Sequence, residues 1–115
     1  MKPTEDLLAR IAERLKALGD PTRLKILHVL ETDELSVSDI LAQVGGSQAN
    51  VSKHLAILRR LGIVSPRREG LHVFYRVTDS TAFAICRTAC TALERQAALE
   101  RRVLDHARAA GGRSR

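Results

Sequence analysis

Aromatic residues are almost missing from this chain of 115: one tyrosine, two phenylalanines and no tryptophan. A core built without rings must come from leucine, isoleucine, valine and alanine, which suits helices. Cysteine is nearly as scarce. Cys86 and Cys90 are too few for the disulfide framework of a small secreted domain. A cytoplasmic protein with both thiols reduced is therefore expected. No window approaches 18 consecutive apolar residues, so a membrane-spanning helix is not expected. The opening, MKPTEDLLARIAERLKAL, carries charge throughout its apolar periodicity and does not read as a signal peptide. Internal repeats and low-complexity segments are also lacking. So are the usual enzyme signatures: a Gly-rich phosphate loop, a metalloprotease histidine pair, a setting for paired catalytic carboxylates. Cys-x-x-x-Cys has one residue too many for a thioredoxin-type motif. The chain reads as a non-enzyme with no obligatory cofactor.

What is present is charge of one sign. Charged residues make up 28% of the chain and the net charge is +6. The length is that of one domain, and a domain this small often completes a thin core by dimerising. A basic balance makes a polyanionic partner the natural expectation.

Periodicity then orders the chain. Leu7, Leu8, Ile11, Leu15 and Leu18 give a first helix from about Thr4 to Leu18. In GDPTR, Gly19 is expected to stop it in the left-handed conformation. Asp20 and Pro21 start a second helix that reaches about Glu31. Within ELSVSDILAQVGG, Ser36 and Asp39 form a capping box, and Gly45 and Gly46 end a third, short helix. Ser47 caps a fourth, which Gly62 ends. IVSPRR and LHVFYRV read as a hairpin turning at Glu69-Gly70. A long last helix follows, from about Asp79 or Ser80 to about Ala109. The expected fold class is mainly α with a small β-hairpin, in the order α-α-α-α-β-β-α. Residues 1–110 form one domain, with helices 4–18 and 80–109 available for dimerisation and 111–115 as a flexible tail.

The fourth helix opens on Ser47, Gln48, Asn50, Ser52, Lys53 and His54 and turns apolar only later, at Val51, Leu55 and Leu58. Two short helices joined by a glycine turn make a helix-turn-helix, whose second helix enters the major groove by its N-terminal residues. Gln and Asn can bond adenine, Ser is adaptable, and Lys suits guanine or phosphate. The hairpin becomes a wing, with Arg67, Arg68, His72 and Arg76 suited to phosphates. Residues 47 to 76 hold six lysines and arginines against Glu69 alone, a balance of +5. Without DNA, Ser47 would merely cap and the polar row would be a solvated face. His54 could equally sit at the core edge, and His28 reads as core edge.

These segments, LGDPTRLKIL, ELSVSDILAQVGGSQANVSKHLAILRRLGIV and RREGLHVFYRV, resemble the ArsR/SmtB family of winged helix-turn-helix, metal- and metalloid-responsive repressors. The resemblance covers most of residues 17 to 77. It implies a homodimer through the first and last helices, bound to double-stranded DNA at an inverted-repeat operator. It places DNA contacts at Ser47, Gln48, Ala49, Asn50, Ser52, Lys53 and the wing arginines. His54, Arg59 and His72 complete the candidate set. Ala49 stands where a polar residue is commoner and offers only a methyl contact.

Arsenic-sensing members carry Cys-Val-Cys in the third helix. Here that place reads Ser36-Val37-Ser38, and hydroxyls are poor ligands for soft ions. The thiols lie instead in AICRTAC of the last helix. Cys86 and Cys90 are one turn apart and point the same way. They could chelate arsenite or antimonite, with zinc or cadmium as other candidates. Arg87 and Arg95 would favour thiolate. Three other readings stand beside this one. The thiols could be a redox or reactive-sulfur switch, or could only pack with Phe83, Leu93, Ala97 and Leu104. Asp105 and His106 could hold zinc, as zinc-sensing members use such residues in this helix. A non-specific nucleoid-type protein is the rival of another class. Sequence choice separates it from a repressor, which prefers its palindrome by ~10³-fold or more.

Overall fold

The computed structural model describes residues 2–113. Its elements are α1 (Glu5–Leu18), α2 (Pro21–Val29), β1 (Leu35–Ser36), α3 (Val37–Val44), α4 (Gln48–Arg60), β2 (Val64–Glu69), β3 (His72–Val77) and α5 (Thr81–Arg113). The molecule divides into two compact units, at Ala82 and Phe83. The first holds everything through β3. The second is the rest of α5. Among the described residues no helix is long and apolar enough to cross a membrane.

The helix starts follow their caps. Thr4, Asp20, Ser36 and Ser47 each accept a hydrogen bond from the backbone N–H three residues on, which satisfies one of the orphan donors of a first turn. Pro21 stands in the first turn of α2, where a missing N–H costs nothing. Ser36 thus caps α3, as the sequence indicates. The α3–α4 turn depends on Gly45 (φ 84°, ψ −177°), a conformation essentially closed to side chains. α4 ends with Gly62 N–H bonded to Arg59 O and Ile63 N–H to Leu58 O. This paired closure hands the chain directly to β2.

Several expectations shift. Gly19 is not left-handed: its φ is −84°. A Cβ there would sit 3.3 Å from the Leu15 carbonyl oxygen, so glycine serves close approach. α2 stops at Val29 rather than Glu31, closed by Leu30. The hairpin turn lies one residue later than Glu69-Gly70. Glu69 pairs with His72, leaving Gly70 and Leu71 as the loop, because a two-residue turn needs positive φ first and Gly70 supplies it (φ 60°). The sheet has a third strand that alternation could not reveal, since β1 is only two residues long. It pairs Leu35 with Tyr75 and Ser36 with Phe74, in the order β1-β3-β2. Pro66 is tolerated because β2 is an edge. The last helix runs on through residues 111–113, read above as tail; residues 1, 114 and 115 lie outside the described residues.

The core belongs to the first unit: Ile26, Leu27, Ile40, Val51, Leu55, Leu58, Ile63 and Val64 are all 2% exposed or less. α4 packs its apolar face on α2, α3 and β2. An arginine fastens one edge. Arg14 of α1 donates to the Leu61 carbonyl (3.1 Å) and to the Asp79 carboxylate (2.7 Å). Asp79 also accepts from the hydroxyl and backbone N–H of Thr81. Those Thr81 bonds, with Arg14, hold the Asp79 carboxyl below its usual range. A carboxyl lowered in the folded state adds stability that is complete above the unfolded pKa, about 4. It fades as pH falls through the lower folded value. Asp79→Asn should therefore flatten the acid-side loss of stability below about pH 4. Urea melts from pH 7 to pH 2.5 check this, and equal acid slopes for both proteins would remove Asp79 from the account.

Candidate nucleic-acid interface and thiol pair

α4 separates its side chains cleanly. Val51, Leu55 and Leu58 are at most 1% exposed. Ser47, Gln48, Ala49, Asn50, Ser52, Lys53, Arg59 and Arg60 are exposed. The Ser47 oxygen is spent on the cap, accepting from Asn50 N–H at 3.1 Å. Among the described residues, Gln48, Ser52 and Lys53, and the Asn50 side chain, have no side-chain hydrogen bond or ion pair. Their donors and acceptors are uncommitted at the positive end of the helix. Gln48, Ser52 and Arg59 share one face, with Arg59 about 16 Å further along the axis.

His54 behaves differently from its neighbours. Its side chain is 12% exposed, with Nδ1 4.0 Å from the Asp20 carboxylate. The same nitrogen accepts from the Arg23 guanidinium at 3.1 Å. Arg23 also donates through Nε to the Ala17 carbonyl at 2.6 Å. Its backbone N–H bonds Asp20, and that bond, ahead of the charge of its guanidinium, lowers the Asp20 pKa. This cluster joins the end of α1, the start of α2 and the middle of α4. His54 thus sits at the core edge, set apart from the exposed polar row of α4.

The wing sorts its basic residues by register. Arg68 faces Val73, and Pro66 faces Tyr75, on the side that carries buried Val64. Arg67, Glu69, His72, Phe74 and Arg76 lie on the opposite side. The three wing arginines are thus split between two faces, Arg68 on one and Arg67 and Arg76 on the other, which a simple charge count had merged. Arg67 is further restrained. Its Nε donates to Glu34 at 2.6 Å and its Nη1 to Glu69 at 2.8 Å. Its guanidinium carbon stands 5.1 Å above the Phe74 ring. The Glu34 bond, then the Glu69 bond, push its pKa up. The His72 and Phe74 rings lie tilted beside it, 56° between planes and 6.3 Å between centres. Glu34 escaped the sequence reading because it is 33 residues from Arg67; Glu69, two along the same strand face, was legible by alternation.

In α5, Cys86 is half-buried and Cys90 exposed, both as free thiols. The expectation that Arg87 and Arg95 favour thiolate is corrected at Cys90. Its Sγ–H donates to Glu94 at 3.5 Å, and that bond with the Glu94 charge raises the thiol pKa. Among the described residues there is no cluster of three or more His, Cys, Asp and Glu side chains able to hold a metal. Cys86 and Cys90, four residues apart in α5, are two soft donors on the same side of the helix. Asp105 and His106 are successive helix residues about 100° apart, and one chain does not gather the four ligands zinc takes.

Residues 20–65 match the model of the "Bacterial regulatory protein, arsR family". The chain is 44% identical over 71 residues to an uncharacterized HTH-type transcriptional regulator of Methanocaldococcus jannaschii, covering 61% of this chain and 80% of that one. A second such regulator, from Mycobacterium tuberculosis, is 33% identical over 109 residues, 94% of this chain and 96% of its own. The crystal structure of M. tuberculosis Rv0081 superposes with a TM-score of 0.75 at 32% identity, covering 83% of this chain and 96% of that one. The homodimeric winged helix-turn-helix DNA-binding domain from Mycobacterium bovis gives 0.70 at 31%, covering 84% and 94%. For other relatives the match is shorter: it spans 58% of the cadmium resistance regulator CadC homolog of Staphylococcus aureus and 63% of the biofilm growth-associated repressor of Xylella fastidiosa. With its matched helix-turn-helix, its wing and a relative aligned along nearly the whole length, the chain belongs to the ArsR/SmtB family of winged helix-turn-helix transcriptional regulators.

Proposed function

We propose that the chain is a cytoplasmic homodimeric repressor that binds an inverted-repeat operator and leaves it when a thiophilic effector engages Cys86 and Cys90. One observation carries the DNA reading: the row of uncommitted polar side chains at Gln48, Asn50, Ser52 and Lys53, set over a fully buried face of the same helix. Ser47, Ala49 and Arg59 extend it, and Arg68, His72 and Arg76 meet phosphates. The homodimer is supported by exposed leucines, isoleucine and valine on two helices. Leu8, Ile11 and Leu15 line α1, and Leu93, Leu99, Val103 and Leu104 line α5, each 43–65% exposed. Such stripes are unfavourable in water, and the similar M. bovis domain is homodimeric. The single domain of residues 1–110 proposed from sequence becomes, in this reading, a DNA-binding body plus a dimerising helix.

The effector chemistry follows from the thiols. Arsenite or antimonite accepts two thiolates from one turn of helix, and binding must displace the Cys90 proton held toward Glu94. Cadmium is the metal for which the S. aureus relative is named. An effector that binds the DNA-incompetent dimer better shifts the population away from the operator. Because half-sites lie roughly 34–36 Å apart on one DNA face, a small rotation between protomers spoils simultaneous docking. A second reading, thiol oxidation or reactive-sulfur bridging, draws on the exposure of Cys90. Side chains one turn apart are near the outer reach of a direct disulfide, and an inserted sulfur relaxes it.

The test is an operator titration with arsenite, antimonite, cadmium, zinc and polysulfide in turn. Cys86→Ser with Cys90→Ser should bind the operator as wild type does and ignore the effector that releases it. Normal release of that double variant would take the thiols out of the mechanism. Wild type that binds random and palindromic DNA alike would favour the nucleoid-type alternative.

A further inference from the structure

The wing holds one of its own cations back. Arg67 is half exposed, on the outward side of the sheet with His72 and Arg76. Two carboxylates from different elements nonetheless grip it, Glu69 on its own strand and Glu34 in the connection between α2 and β1. Phe74 lies beneath the guanidinium as a flat platform. An exposed ion pair adds little to folding stability. The larger physical consequence is therefore the charge that it hides. Carboxylate oxygens take up the Arg67 Nε, Nη1 and Nη2, the same donors with which a guanidinium would hold a phosphate.

We infer that Glu34 and Glu69 occupy Arg67 as stand-ins for backbone phosphate, so that DNA must displace them, and that Glu34 thereby sets how strongly the wing grips any duplex. The inference rests on the DNA-binding reading above. When the wing docks, a phosphate oxygen replaces the Glu34 carboxylate at the guanidinium. The freed carboxylate then stands close to a polyanion. Both effects oppose binding without regard to base sequence, because no base edge is involved. The clamp therefore keeps backbone affinity low and leaves sequence choice to α4.

Glu34→Gln tests this while keeping an oxygen that can still accept from Arg67. It should tighten binding to an operator duplex and to a random duplex alike, by roughly fivefold at low salt, and steepen the salt dependence by up to about one released counterion. Asp33→Asn removes the same charge one residue away, from a side chain that does not touch Arg67. It should give less than half of that gain. In an Arg67→Ala background, Glu34→Gln should lose at least half of its gain. Circular dichroism melts confirm that each variant is folded. Equal gains from Glu34→Gln and Asp33→Asn, or an undiminished gain without Arg67, would reduce the effect to general charge and overturn the inference. An unchanged Glu34→Gln protein would overturn it too. In each of these cases wild type still binds its operator, so the DNA-binding reading survives; wild type that binds no duplex would sink that reading instead.

Discussion

Leu55→Ala is expected to destabilise the protein by about 3 kcal/mol, from lost transfer energy and the cavity left behind. Leu55 is 1% exposed, on the face of α4 that packs on α2, α3 and β2. That face cannot collapse easily, because β-strand, helix and turn all meet it. For a domain whose whole stability is about 5–15 kcal/mol, such a loss is large. Far-UV circular dichroism during urea unfolding is the suitable probe, as the chain has no tryptophan. Ser52, three residues earlier and exposed, supplies the contrast. Ser52→Ala should move stability by no more than about 0.5 kcal/mol, as exposed positions usually do. A loss below about 1 kcal/mol at Leu55 would mean that the recognition helix is not anchored as described.

Ser52→Ala and Gln48→Ala should instead show their effect on DNA. Each removes a side chain that no other part of the protein uses. A base contact is worth about 1–3 kcal/mol of discrimination, so each variant should lose roughly 5- to 100-fold in operator affinity. Random DNA should hardly notice. Arg68→Ala should weaken both duplexes by similar factors and lower the salt slope by about one. Fluorescence anisotropy on labelled operator and scrambled duplexes, at two salt concentrations, separates the two behaviours. If all three variants lost affinity equally on both duplexes, α4 would not be reading bases. The two experiments divide the helix between them: one face for folding, one for recognition.

The boundary between those faces was readable before any coordinates. Val51, Leu55 and Leu58 recur at helical spacing, and the polar residues fill the gaps, because a helix that buries one face must leave the other wet. The helix starts were equally legible. Asp20, Ser36 and Ser47 are local devices, acting on N–H groups three residues away. Errors came where a local rule met a distant partner. Gly19 looked like a left-handed stop, yet the packing of α1 against the start of α2 placed it in ordinary backbone. β1 escaped notice because two residues carry no alternation, and only β3 makes them a strand.

Chain pattern alone determined the order of helices, the glycine turn, the wing and the side of α4 that faces solvent. Each depends on neighbours within about one turn or one strand pair, and sequence spacing encodes such neighbours directly. Which charges stay free was decided only by the tertiary fold. It turned His54 in toward Arg23, set Glu34 against Arg67 and brought Asp79 to Arg14. A count of cations cannot foresee this, because an ion pair depends on a few ångströms of space between residues that folding alone brings together.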